Sequence, residues 1–256
     1  MSPQVGQITL YNNHAVFWCH RVRIALAQAG AEYTLYNVDL DNKPEWFNEK
    51  VNAAGKVPTL AYGGSQTLPE DPSPESAKLT ESTVIVEFIA DLFPAARLLP
   101  ADPVLRARAR HFVHHFDAKV AMPLLGFLAV GQSTGSCIDA LEGLQALLPE
   151  HNEHEHEDGQ RQLERSGPGF AFGEPSVADI AVAPFLITGI VLLENDIGAY
   201  TSEEGQRALE EIRSPRLARL RAYVEFLREW PAFKDTFDKA TTLAAWRKAP
   251  RMRKRT

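Results

Sequence analysis

Every strand-like stretch in this chain lies before Pro100, and only helical periodicity follows it. That asymmetry predicts two domains: residues 1–99 with mixed strands and helices, and residues 100–256 all helical. Residues 7–11 alternate like a first strand. Residues 18–29 place Val22, Ala25, Leu26 and Ala29 at helical spacing and stop at Gly30. Residues 33–38 read as a second strand, so the opening is a β-α-β unit. A short helix follows over 43–51, with Pro44 in its first turn, where the missing N–H costs nothing. Residues 57–62 form a third strand broken by Gly63-Gly64, residues 65–76 a loop, and residues 77–79 a short fourth strand. Residues 82–92 form a helix with Val84, Ile85, Phe88 and Ile89 on one face, ended by Pro94.

The order β-α-β-α-β-β-α is the thioredoxin-like arrangement. In the second half, Asp102 and Pro103 open a long helix predicted to reach Val130 with a kink at Pro123. Further helices are predicted over 137–148, 176–194, 214–230 and 232–246. The second of these, 176–194, is apolar nearly all round and belongs in a domain centre.

Bulk properties exclude several classes. No uncharged apolar run approaches the roughly 18 residues of a membrane span. The start, Met1-Ser2-Pro3-Gln4, lacks the charge and apolarity of a secretion signal. Two cysteines, Cys19 and Cys137, are too few for a disulfide framework and point to a reducing, cytoplasmic setting. Net charge is −6, but six basic residues crowd the last ten, leaving 21 basic against 33 acidic groups before them. A body so acidic offers no nucleic-acid face, and the tail reads as a solvated terminus. Glu150, His151, Glu153, His154, Glu155, His156, Glu157 and Asp158 carry good metal donors, but nothing in a polar stretch between helices fixes their geometry, so no metal is expected.

Two stretches carry chemistry. In Gly55-Lys56-Val57-Pro58-Thr59-Leu60, a proline at the start of a strand suits a cis bond. In this topology Val57 turns its N–H and C=O away from the sheet, where they can pair with an extended peptide. In Leu79-Thr80-Glu81-Ser82, the start of a helix favours a carboxylate, and Glu81 can accept from an ammonium group. One spot thus suits a zwitterionic amino-acid terminus. Taken singly, each stretch also reads as an edge-strand proline and an ordinary helix cap.

Together they resemble the glutathione site of the cytosolic glutathione transferases. The segments Asp41-Asn42-Lys43-Pro44-Glu45-Trp46-Phe47, Gly55-Lys56-Val57-Pro58 and Glu81-Ser82-Thr83-Val84-Ile85-Val86-Glu87-Phe88 look like the Omega class in particular. Similarity is clear over residues 7–99 and fainter beyond, and the loop over 63–76 resembles basidiomycete fungal members. Pro175-Ser176-Val177-Ala178-Asp179 resembles the family's capping box, a folding motif.

The resemblance implies a transferase of alkyl or aryl groups that uses glutathione as co-substrate, a role in detoxification, and a homodimer. Val57, beside Pro58, would pair with the cysteinyl unit, Lys43 would neutralise the glycine carboxylate, and Glu81 and Ser82 would hold the γ-glutamyl end. An apolar or aromatic second ligand would sit between the domains, with Phe127 and Trp246 as candidate walls. Where Omega members carry Cys-Pro-Phe-Ala, this chain has Val16-Phe17-Trp18-Cys19. Val16 can neither attack a disulfide nor bond a thiolate, which puts thiol-transferase activity in doubt. Cys19, a turn into the helix, reads either as a displaced nucleophile or as a small buried hydrophobe. Asn13, His14 and the amides of Phe17 and Trp18 are alternative thiolate partners. The rival to transfer is a weakly catalytic ligandin for aromatic compounds.

Overall fold

The computed structural model describes residues 6–149 and 169–249. The His- and Glu-rich tract over 150–158, the first residues of the chain and the basic residues after Ala249 lie outside the described residues.

Strand β1 (Ile8–Asn12) is buried along its whole length because it is central in the sheet. It pairs in parallel with β2 (Thr34–Asn37) and antiparallel with β3 (Thr59–Tyr62). Strand β4 (Ala77–Leu79) pairs antiparallel with β3, giving the order β2-β1-β3-β4. The crossover between β1 and β2 is helix α1 (Phe17–Gln28). Gly30 ends α1 at φ +61°: its N–H reaches Ala27 O at 3.0 Å and that of Ala31 reaches Leu26 O at 3.0 Å. This is the paired capping that glycine's positive φ permits.

Helix α2 (Glu45–Lys50) covers one sheet face, where Tyr11, Val38, Phe47, Val51 and Ala61 form a cluster. The Tyr11 ring meets Phe47 edge-on at 5.6 Å, and its hydroxyl donates to Pro69 O at 2.7 Å, anchoring the long loop before β4. Side chains alternate along a strand, so Ile8 and Leu10 face the other way. Helix α3 (Ser82–Leu92) packs against α1.

The remaining described helices are α4 (Pro103–His115), α5 (Ala121–Val130), α6 (Thr134–Ala146), α7 (Val177–Glu194), α8 (Ser202–Arg213), α9 (Ala218–Arg228), α10 (Pro231–Lys234) and α11 (Lys239–Lys248). Asp102 caps α4, its side chain accepting from Leu105 N at 2.8 Å. The single long helix expected to Val130 is divided by a π-helical turn at Phe116–Val120. The irregularity therefore falls just before Pro123, whose ring would collide with the carbonyl four residues back in an unbroken helix. Helix α7 is long and apolar enough to cross a membrane by length and composition, and 89% of it is buried in the protein. Ser176 and Asp179 form its capping box, as the sequence implied.

Two expectations are corrected. Helix α8 was missed: its sequence is so polar that only Gly205 and Ala208 are buried, but Thr201 and Glu204 form a reciprocal capping box at 3.2 and 2.9 Å. The domain division at residues 99 and 100 also fails at the C-terminus. The chain forms two compact units, and Pro231–Lys248 belongs with the strand-containing unit rather than with Leu99–Trp230.

Candidate functional site

The sheet brings the candidate residues to one end. Tyr11 pairs with Thr59 at the end of β1, so the turn entering α1 neighbours Val57-Pro58. Leu60 pairs with Leu79, and the antiparallel register carried two residues further sets Glu81 beside Pro58. Strand β2 runs parallel to β1, so the loop bearing Lys43 leaves from the same end.

The Val57-Pro58 peptide is cis. Val57 precedes the ladder, in which β3 first pairs at Thr59, so its backbone groups take no part in the sheet. Lys43 donates from Nζ to Gly55 O at 2.7 Å. One of its three donors is thus used to fix the ammonium beside Val57, leaving capacity for a carboxylate. Gly55 has φ +63°, a conformation that favours glycine, and a Cβ there would lie 2.7 Å from that nitrogen, so the ammonium would have to shift.

Glu81 is exposed and held at φ 66°, ψ 112°, a region that side chains rarely adopt. Such strain persists only where its surroundings impose it and collects at ligand clamps. Ser82, 5% exposed, opens α3. Its hydroxyl accepts from Arg21 Nη1 at 3.4 Å. Arg21 is 1% exposed.

At the α1 N-terminus the cap residue Val16 brings no side-chain hydrogen bond. Asn13 is committed on both sides, its Oδ1 accepting from Ala15 N at 3.0 Å and its Nδ2 donating to Val38 O at 3.1 Å. It shapes the turn, and these two bonds use one of its two Nδ2 protons. His14 is half-buried, and burial lowers its pKa, keeping it neutral. Trp18 is half-buried in the first turn. Cys19 is fully buried and free. Burial pushes its thiol up to about 12, against a smaller lowering by the Asn13 N–H and the charge of Arg23. The displaced-nucleophile role is corrected: Cys19 lies on the inward face of α1 and stays protonated at neutral pH.

The segment 231–248 folds onto α1. Thr236 Oγ1 donates to Ala232 O at 2.7 Å, so it accepts from an Nε2–H of His20 at 2.9 Å. Burial lowers the His20 pKa well below the usual value, with the positive charge of Arg23 adding to it. Arg23 Nη1 donates to Thr236 O at 2.5 Å. Trp246 stacks on Phe17 at 5.0 Å and 19°, and its Nε1 donates to Ala15 O at 3.1 Å. The sequence foresaw an aromatic wall at Trp246, and the residue does stand at the start of α1. Phe127 belongs to the other compact unit. It is fully buried in the helical unit, stacked on Tyr200 at 4.9 Å and 13°, and borders an apolar cavity it shares with Leu124, Cys137 and Leu141.

Comparison with known proteins places this geometry. The family model for the glutathione S-transferase N-terminal domain matches residues 17–92. The chain is 31% identical over 112 residues to glutathione S-transferase omega-1 of Mus musculus, covering 44% of this chain and 42% of that protein. It is 27% identical over 184 residues to pyrimidodiazepine synthase of Drosophila melanogaster, covering 72% and 65%. The match thus spans about two fifths of the mouse relative's length. Solved structures match throughout. Glutathione transferase Omega 1C from Trametes versicolor is 41% identical, with 94% of this chain and 95% of that one covered and a TM-score of 0.84. Omega 2S from the same fungus, in complex with 2,4-dihydroxybenzophenone, is 39% identical, with 96% and 99% covered and a TM-score of 0.84.

Proposed function

Because the chain belongs to the glutathione transferases, and within them to the Omega class as fungi carry it, we propose that it binds glutathione at this sheet end and transfers it to an apolar or aromatic electrophile. The observation that carries the reading is the convergence of Val57 before a cis proline, the Lys43 ammonium and Ser82 behind a strained Glu81 at one end of the sheet. An extended tripeptide carrying a carboxylate at each end meets a backbone pair in its middle, a cation at one end and a helix N-terminus at the other.

The same register directs the cysteinyl sulfur to the start of α1. There the helix dipole favours a thiolate, and the reacting thiol is glutathione's own, since Cys19 is buried. The thiolate attacks an electrophilic carbon and the leaving group departs with its electron pair. The protein's share of the work is to keep the sulfur ionised and aligned. Trp246, seated on Phe17, would present an apolar flank to the acceptor. Family likeness extends the reading to a cytoplasmic homodimer. Calorimetry tests the site: wild type binds glutathione, and the variant Glu81→Ala with Ser82→Ala does not. Unchanged affinity in that variant would remove the assignment.

A second reading rests on Val16, which supplies no side-chain partner for the thiolate. With weak turnover, retention of aromatic compounds becomes the main activity, in keeping with the benzophenone bound by the Trametes versicolor relative. Displacement of a bound aromatic fluorophore without glutathione consumption would favour it.

A further inference from the structure

The buried arginine behind Ser82 has a role that follows from its chemistry. Arg21 projects from α1 to the first turn of α3, 61 residues away in sequence, and donates from Nη1 to Ser82 Oγ at 3.4 Å. Both side chains are out of water, at 1% and 5% exposure. A guanidinium has five donors and no acceptor, and it does not lose its proton. A serine hydroxyl has one proton and two lone pairs. Contact with Arg21 therefore uses an Oγ lone pair, and the single proton is left to point elsewhere.

We propose that Arg21 is a positioning residue for glutathione binding: it holds Ser82 as a hydrogen-bond donor toward the α-carboxylate of the γ-glutamyl unit. The proposal rests on the glutathione site described above. Two effects follow. The Ser82 O–H is oriented before the ligand arrives, so less ordering is needed on binding. A guanidinium that keeps its proton also stands behind that hydroxyl, and its positive charge favours an anion there over a neutral group. The α1–α3 packing thereby links the element that meets the sulfur to the element that meets the γ-glutamyl end.

The test uses two probes, glutathione and 4-aminobutanoyl-cysteinylglycine, which is glutathione without that α-carboxylate. Their dissociation constants are measured by calorimetry on wild type, Ser82→Ala, Arg21→Met and Arg21→Lys, each checked for a cooperative melt. Arg21→Met is expected to weaken glutathione by about ten- to a hundredfold, the scale of one charged hydrogen bond. It should leave affinity for the decarboxylated probe unchanged, and Arg21→Lys should recover part of the loss. A purely structural arginine would weaken both probes alike, and that result overturns the proposal, as does no effect on either. Should Arg21→Met not fold, Arg21→Lys carries the test: it should weaken glutathione in the presence of Ser82 and have no further effect in the Ser82→Ala background. Further weakening in that background overturns the proposal. If Ser82→Ala itself leaves glutathione affinity unchanged, the site reading fails. If Ser82→Ala weakens binding and the Arg21 variants do not, this inference alone fails.

Discussion

The chemistry assigned to the α1 N-terminus turns on Cys19, and alkylation measures its state directly. The perturbation is Cys19→Ser, set beside labelling of the wild type. With its thiol pushed up to about 12 by burial, about one Cys19 in 10⁵ is thiolate at pH 7, against roughly one in thirty for an unperturbed thiol near 8.5. Ionisation alone thus slows alkylation about three-thousandfold, and complete burial slows it further. Iodoacetamide followed by mass spectrometry should label Cys19 in urea within minutes and leave it unmodified in the native fold over the same time. Cys137, also buried with its thiol pushed up to about 12, serves as the internal reference. Cys19→Ser should lower stability by about 1 kcal/mol or more, because it buries a hydroxyl in a site shaped for sulfur. It should leave glutathione affinity and conjugation intact. Rapid native labelling, or a glutathione mixed disulfide whose loss in Cys19→Ser removes activity without a change in melting temperature, would refute the reasoning.

Glu81→Gly relieves a backbone held at φ 66° and should raise stability by about 1 kcal/mol in urea unfolding, while weakening glutathione in calorimetry; loss of stability would contradict the strain. Trp246→Ala removes the stack on Phe17 and the bond to Ala15 O, with an expected cost of about 3 kcal/mol and early proteolysis within 239–248. His20 takes up a proton in the unfolded chain near pH 6.5 but not in the fold, where its pKa is well below that. Stability should therefore be flat above pH 7 and fall below pH 6.5 by up to about 1.4 kcal/mol per unit. His20→Gln, compared across pH 5 to 8, should flatten that fall. Light scattering at micromolar concentration should give a dimer mass, and a monomer mass would count against the family-based expectation.

The first unit was legible because its signals are local. Periodicity, Gly30 and Pro94 mark element ends, and β4 and α3 lie where the sequence set them, at Ala77–Leu79 and Ser82–Leu92. The candidate glutathione site was legible because Val57-Pro58 and Glu81-Ser82 are contiguous motifs. Arg21 was not, since its bond to Ser82 spans 61 residues and nothing near it in the chain announces a buried guanidinium. Folding of 231–248 onto α1 was hidden for the same reason: it depends on Thr236 meeting His20 and Trp246 meeting Ala15, at separations of 216 and 231 residues. Helix α8 was lost to polarity, although Thr201 and Glu204 were present as a capping signal. The stack of Phe127 on Tyr200 was not legible, because an apolar helix position looks the same whether it faces a ligand or another ring.

The central claim is that glutathione lies at the sheet end beside α1 and α3 with its own sulfur as the nucleophile. A crystal structure of the protein soaked with glutathione measures this directly. The account predicts two backbone hydrogen bonds from the cysteinyl unit to Val57, the γ-glutamyl carboxylate at Ser82, the glycine carboxylate within reach of Lys43, and a free sulfur at the first turn of α1. Glutathione bound elsewhere, or joined to Cys19 through a disulfide, would contradict it.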